Sequence, residues 1–132
     1  MRKPIPKKLR QQVYEKYGGH CAYCGKKIEY KDMQVDHADI TYGRAFYGMD
    51  TKRAQEAITD NSINDIENLM PACRQCNFYK GMDNIDYFRR KIKNTLEHSC
   101  VNTFQAKLAM QYGIIKHHEW DGLFYFEKEK EK

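Results

Sequence analysis

The chain has 132 residues and a mass of 15.7 kDa, enough for one compact domain that buries about two-thirds of its unfolded surface and too little for two ordinary ones. No run of even ten apolar positions occurs, which excludes a membrane span and a secretory signal and implies a soluble, intracellular protein. The formal charge is +5, yet residues 1 to 10 hold five basic and no acidic side chains, so the excess is a basic arm suited to non-specific attraction of a polyanion.

Leu9, Val13 and Tyr17 stand four apart and Gly18-Gly19 follows, which predicts an amphipathic helix over residues 7 to 17 with a glycine stop. That helix runs into the first of two Cys-x-x-Cys pairs, Cys21/Cys24 and Cys73/Cys76, separated by 48 residues. A disulfide framework needs an even count and an export signal; five cysteines without one favour thiolates held by a metal. Two residues between ligands let one tight turn offer two sulfurs, and two such turns complete a closed four-sulfur Zn²⁺ site. A redox role would need one such pair in a βαβ setting. His20 adjoins the first pair but competes poorly with four sulfurs, and Cys100, in a helical stretch, reads as a small buried hydrophobe.

Residues 28 to 36 predict a turn and short extended pieces, with Met33-Gln34-Val35-Asp36 alternating as a strand and Asp36-His37 at its end. Residues 38 to 65 read as an insertion: a loop through Tyr42, Phe46 and Tyr47, then a helix through Arg53 to residue 58 capped by Asp50. Residues 68 to 72 lead into the second cysteine pair, and residues 74 to 80 before Gly81 predict a short helix. Asp83 caps the next helix, whose stripe is Ile85, Phe88, Ile92 and Leu96. A further helix spans about residues 102 to 110. Residues 114 to 120, Asp121-Gly122 and residues 123 to 127 predict a β-hairpin with core aromatics, which sends His117 and His118 to opposite faces, before a solvated, charge-alternating end.

Asp36-His37, Asn68 and Asn77 stand between or beside the cysteine pairs. Singly each is an ordinary turn or capping residue. Together, Gly19-His20-Cys21-Ala22-Tyr23-Cys24-Gly25, Val35-Asp36-His37, Asp65-Ile66-Glu67-Asn68-Leu69-Met70-Pro71-Ala72-Cys73-Arg74-Gln75-Cys76-Asn77 and Lys80-Gly81 resemble the zinc-bound HNH endonuclease family, with asparagine as third signature residue. The resemblance covers roughly residues 18 to 81. It implies an α+β fold, a treble-clef-like ββα-metal finger flanked here by the N-terminal helix (1 to 17) and a C-terminal region (82 to 132). It also implies a cytoplasmic, bacterial or phage-encoded nuclease. This chain departs from the family in placing Asn77 where the name expects histidine, and in its 31-position span from His37 to Asn68.

The residue types suit that chemistry. Phosphodiester hydrolysis needs a water deprotonated, growing phosphorane charge neutralised and the leaving oxygen stabilised. His37, mostly neutral near pH 7, can take the proton. Asp36 and Asn77 offer hard oxygens for Mg²⁺ or Mn²⁺, and Asn68 suits a brace of the loop behind His37. Lys80, Arg74, Arg44 and Arg53 are the candidate phosphate contacts on the DNA substrate, with Tyr42, Phe46 and Tyr47 available to stack on a base. The alternative is a non-catalytic, zinc-stabilised nucleic-acid binding module that uses the basic arm and the thiolates alone.

Overall fold

A computed structural model describes residues 5–39 and 64–130. Arg44, Arg53, the capped helix expected after Asp50 and the aromatic loop at 42 to 47 lie outside the described residues. The chain divides into two compact units, one of Met1–Asn84 with Phe124–Lys132 and one of Ile85–Leu123.

In the first unit, α1 (Lys7–Glu15) buries Val13 and ends at Lys16, whose Nζ donates to the carbonyls of Ile66 at 2.7 Å and Leu69 at 2.9 Å. A basic side chain leaving a helix C-terminus thereby anchors the entry to the second strand. The knuckle follows: Cys21 N donates to Lys26 O, Gly25 N to Cys21 O and Ile28 N to Gly19 O. Gly25 has φ +83, and a Cβ there would lie 2.7 Å from the Tyr125 ring, so glycine alone fits both the turn and its neighbour. After a short 3-10 turn, β1 (Gln34–His37) pairs antiparallel with β2 (Leu69–Ala72), Asp36 opposite Met70 and His37 opposite Leu69. The buried β2 leads directly into α2 (Arg74–Lys80), which Gly81 ends at φ 59.

Residues 123 to 127 correct the sequence reading. They form no hairpin strand: α5 (Tyr125–Lys130) is helical, with Glu127 Oε1 capping Phe124 N at 2.9 Å. Its first turn docks on the knuckle, where Tyr125 N and Phe126 N donate to Tyr23 O and Ala22 O, and Phe124 and Phe126 pack edge-on against Tyr23. These aromatics are core, as expected, but they reach it from a helix.

In the second unit, α3 (Ile85–Lys91) buries Phe88 and then widens into a π-helix (Ile92–Ser99) with five-residue bonds such as Cys100 N to Thr95 O. The wider turn takes Leu96 off the α-helical stripe and leaves it 46% exposed. Cys100 is exposed, not the buried hydrophobe its neighbours suggested, because the π-helix ends there. α4 (Phe104–Gln111) is capped by Thr103 Oγ1 accepting from Ala106 N. Residues 114 to 120 are not a strand; Ile114, His117 and His118 are all exposed, so alternation there has no second face to bury. Among the described residues no helix is long and apolar enough to cross a membrane.

Candidate metal centre and catalytic site

The four sulfurs of Cys21, Cys24, Cys73 and Cys76 lie within 4.8 Å of one another, and Cys24 Sγ stands 3.9 Å from Cys73 Sγ. A tetrahedral zinc with bonds of about 2.3 Å spaces its sulfurs about 3.8 Å apart, so these thiols can hold a zinc ion. The thiol electrostatics agree with that donor set. Hydrogen bonds from Cys24 and Cys76 pull the Cys21 thiol below its ordinary value, whereas the contact with Cys21 pushes Cys24 up to about 11 and raises Cys76 further. Four thiols without a cation can share one negative charge easily and four only at high cost; a dication at their centre removes that cost.

Three elements converge on the cluster. Ala22 N donates to Pro71 O at 2.8 Å, tying knuckle to β2, and Cys73 caps α2, its Sγ accepting from Cys76 N at 3.4 Å. His20 takes no part: its Nδ1 meets Gly25 O at 2.8 Å while its ring stacks on Tyr125. Cys100 is likewise outside the group. Cys100→Ser is therefore expected to leave one zinc per chain, measured by elemental analysis; a halved metal content would make Cys100 a ligand.

A second polar centre sits beside the first. Tyr23, between the two knuckle cysteines, donates its hydroxyl to Asp36 Oδ2 at 2.5 Å, and Lys80 Nζ reaches the same oxygen at 3.1 Å and His37 O at 3.0 Å. Lys80 is 1% exposed and Asp36 6%. This corrects Lys80 as a phosphate contact: its ammonium is sealed under β1, where burial demands the partner that Asp36 supplies. Burial raises the Asp36 carboxyl above its ordinary value, with Tyr23 and Lys80 pulling it back, and burial beside Asp36 holds the Tyr23 phenol well above its own.

His37 ends β1, partly exposed, its Nε2 2.7 Å from Asn64 Oδ1. The carboxamide oxygen only accepts, so Nε2 is the donor in that contact. Asn68 is buried and clamps the next turn through both ends of its amide, accepting from Asp39 N and donating to Asp39 O at 3.0 Å each, while Ala38 N donates to Asn68 O. Asn77, in the first turn of α2, donates Nδ2 to Gln34 Oε1 at 2.5 Å. Gln34 and Asp36 share a strand face two residues apart, so both turn toward α2. Among the described residues, Oδ1 of Asp36 and Oδ1 of Asn77 accept no hydrogen bond. Arg74 is exposed at the start of α2.

Three contributors escaped the sequence reading. Tyr23 resembled an ordinary knuckle residue, Gln34 an ordinary strand residue, and Asn64 only part of a polar run before Asp65. For Asn64 the signal was weak but present, since a histidine acting as base needs something to hold its other nitrogen.

No family model matches the chain, and no curated protein does. A solved structure similar to it is the Type II-C Cas9 enzyme from Actinomyces naeslundii, with a TM-score of 0.46 and 24% identity. The similarity covers 69% of this chain and 8% of that one.

Proposed function

We propose that the chain is a metal-dependent endonuclease that hydrolyses phosphodiester bonds in DNA, a ββα-metal finger on a structural zinc site, with His37 as general base. The observation that carries this reading is the setting of His37. It stands partly exposed at a strand end, its Nε2–H on Asn64 and its own carbonyl on the buried Lys80, so both ring and backbone are oriented.

Each neighbour has a distinct task. Asn68 fixes the backbone that follows His37 by closing the turn at Asp39. Lys80 holds His37 O and Asp36 together, and Tyr23 links that pair to the cysteine knuckle. The oxygens Oδ1 of Asp36 and Asn77 would hold Mg²⁺ or Mn²⁺, two hard donors suited to an ion that keeps most of its coordination for water and phosphate. When bound, that ion neutralises phosphorane charge and stabilises the leaving 3′-oxygen.

The non-catalytic reading is favoured by one observation, the Lys80 ion pair on Asp36, which suits a purely structural carboxylate. Supercoiled plasmid with Mg²⁺ or Mn²⁺ separates the two. His37→Ala is expected to lose about 10²- to 10⁴-fold in nicking rate while keeping its zinc and melting temperature. Nicking equal to wild type removes His37 as the base, and a wild type that binds plasmid without ever cutting it establishes the binding module.

A further inference from the structure

An open groove of about 830 Å³ runs beside the cysteine cluster, with Cys73 of that cluster in its wall. Its walls include Lys26, Lys27, Lys31 and Arg74, against two acids, Glu29 and Asp32. Lys31 meets Glu29 at 3.7 Å with both side chains about three-quarters exposed, a pair too solvated to cancel the local charge. Lys26 donates to Gln75 Oε1. Lys27 and Arg74 are exposed and, among the described residues, make no ion pair.

The wall is held from behind. Tyr14 donates its hydroxyl to Ile28 O at 2.9 Å, and Arg10 reaches the carbonyls of Tyr30 at 3.0 Å and Met33 at 2.7 Å, so α1 pins the segment from 28 to 33 at three places. Gln34, whose Oε1 accepts from Asn77, also lines the groove. A concave, net-positive groove therefore reaches Gln34, the hydrogen-bond partner of the Asn77 that the proposed reaction places on its metal.

We infer that this groove is the track for the sugar-phosphate backbone of duplex DNA, with Lys27 and Arg74 as phosphate contacts. The inference rests on the endonuclease reading and names how its substrate is held. The contacts are to backbone, so they set register and affinity and not sequence.

Binding of a fluorescein-labelled 20-base-pair duplex, followed by anisotropy across a salt series without divalent ions, tests it. Each phosphate contact contributes about 0.9 to the slope of log K against log salt. Lys27→Gln with Arg74→Gln is expected to flatten the slope by about 1.8 and to raise the salt sensitivity of no other step, with melting temperature unchanged because both side chains are exposed. Lys107→Gln, on the exposed surface of α4, is expected to leave the slope alone. An unchanged slope in the double variant overturns the groove, and so does a wild type that does not bind the duplex. Plasmid nicking by the wild type reports separately on the endonuclease reading: nicking with an unchanged slope sinks the groove alone, whereas a flattened slope without nicking supports the groove and sinks the catalysis. An RNA duplex bound more tightly than DNA through the same two residues overturns the choice of DNA.

Discussion

Cys73→Ser is expected to unfold the cysteine-bearing unit. Cys73 supplies one of four clustered sulfurs, closes β2 and caps α2 by accepting from Cys76 N. Structural zinc in small domains contributes an apparent stability on the order of 10 kcal/mol, as large as the entire net stability of a typical domain. Among the described residues the sheet of this unit has two strands of four residues each, too little to stand without support. Far-UV circular dichroism and zinc content by elemental analysis check the outcome: loss of both helical signal and metal is expected. A variant with wild-type melting and wild-type zinc shows that the cluster does not hold the scaffold. A strong chelator applied to the wild type is expected to have the same effect, restored by added zinc.

Lys80→Met is expected to cost about 3–5 kcal/mol, the range for removing one member of a buried ion pair, and to lower the melting temperature by about 10 °C. The methionine fills the same channel but leaves Asp36, buried and accepting from Tyr23, without its cation, and leaves His37 O without a donor. The double variant Asp36→Asn with Lys80→Met is expected to recover much of the loss, because a neutral pair of similar shape strands no charge. Urea denaturation of the four proteins gives the coupling directly. Simple additivity of the two single changes would mean that the ion pair is not formed. Nicking by Lys80→Met is expected to fall even where it remains folded, since the strand end that carries His37 loses its anchor.

Much of this chain is written locally. The four-residue spacing of Leu9, Val13 and Tyr17 marks a helix, though one that stops at Glu15, and Arg74 to Lys80 before Gly81 marks α2 within a residue. The paired cysteine spacings foreshadow the cluster because a Cys-x-x-Cys turn is a local geometry; only the meeting of two such turns needs the fold. The C-terminal error is equally local in origin. Asp121-Gly122 between apolar runs carries a hairpin signal, but the alternation before it faces no core, and Phe124 and Phe126 find theirs on Tyr23, about a hundred residues back. A pattern states which side chains seek burial and not what will bury them.

The candidate site divides along the same line. The motif and its resemblance nominated His37 as a candidate base and the oxygens of Asp36 and Asn77 as candidate donors, because protonation chemistry and ligand hardness belong to the side chain. Lys80 could not be placed that way: as a lysine on a short helix it belongs at the surface, and it is buried only because Asp36, 44 positions earlier, arrives beneath it on β1. Tyr23, Gln34 and Asn64 gained their parts in the same manner, each through one hydrogen bond to a residue 13 or more positions away. Chemistry resides in single residues and short spacings, which a sequence displays. Burial and partnership depend on which distant segments meet, and in this protein the packing of the knuckle, β1 and α2 around four sulfurs decided them.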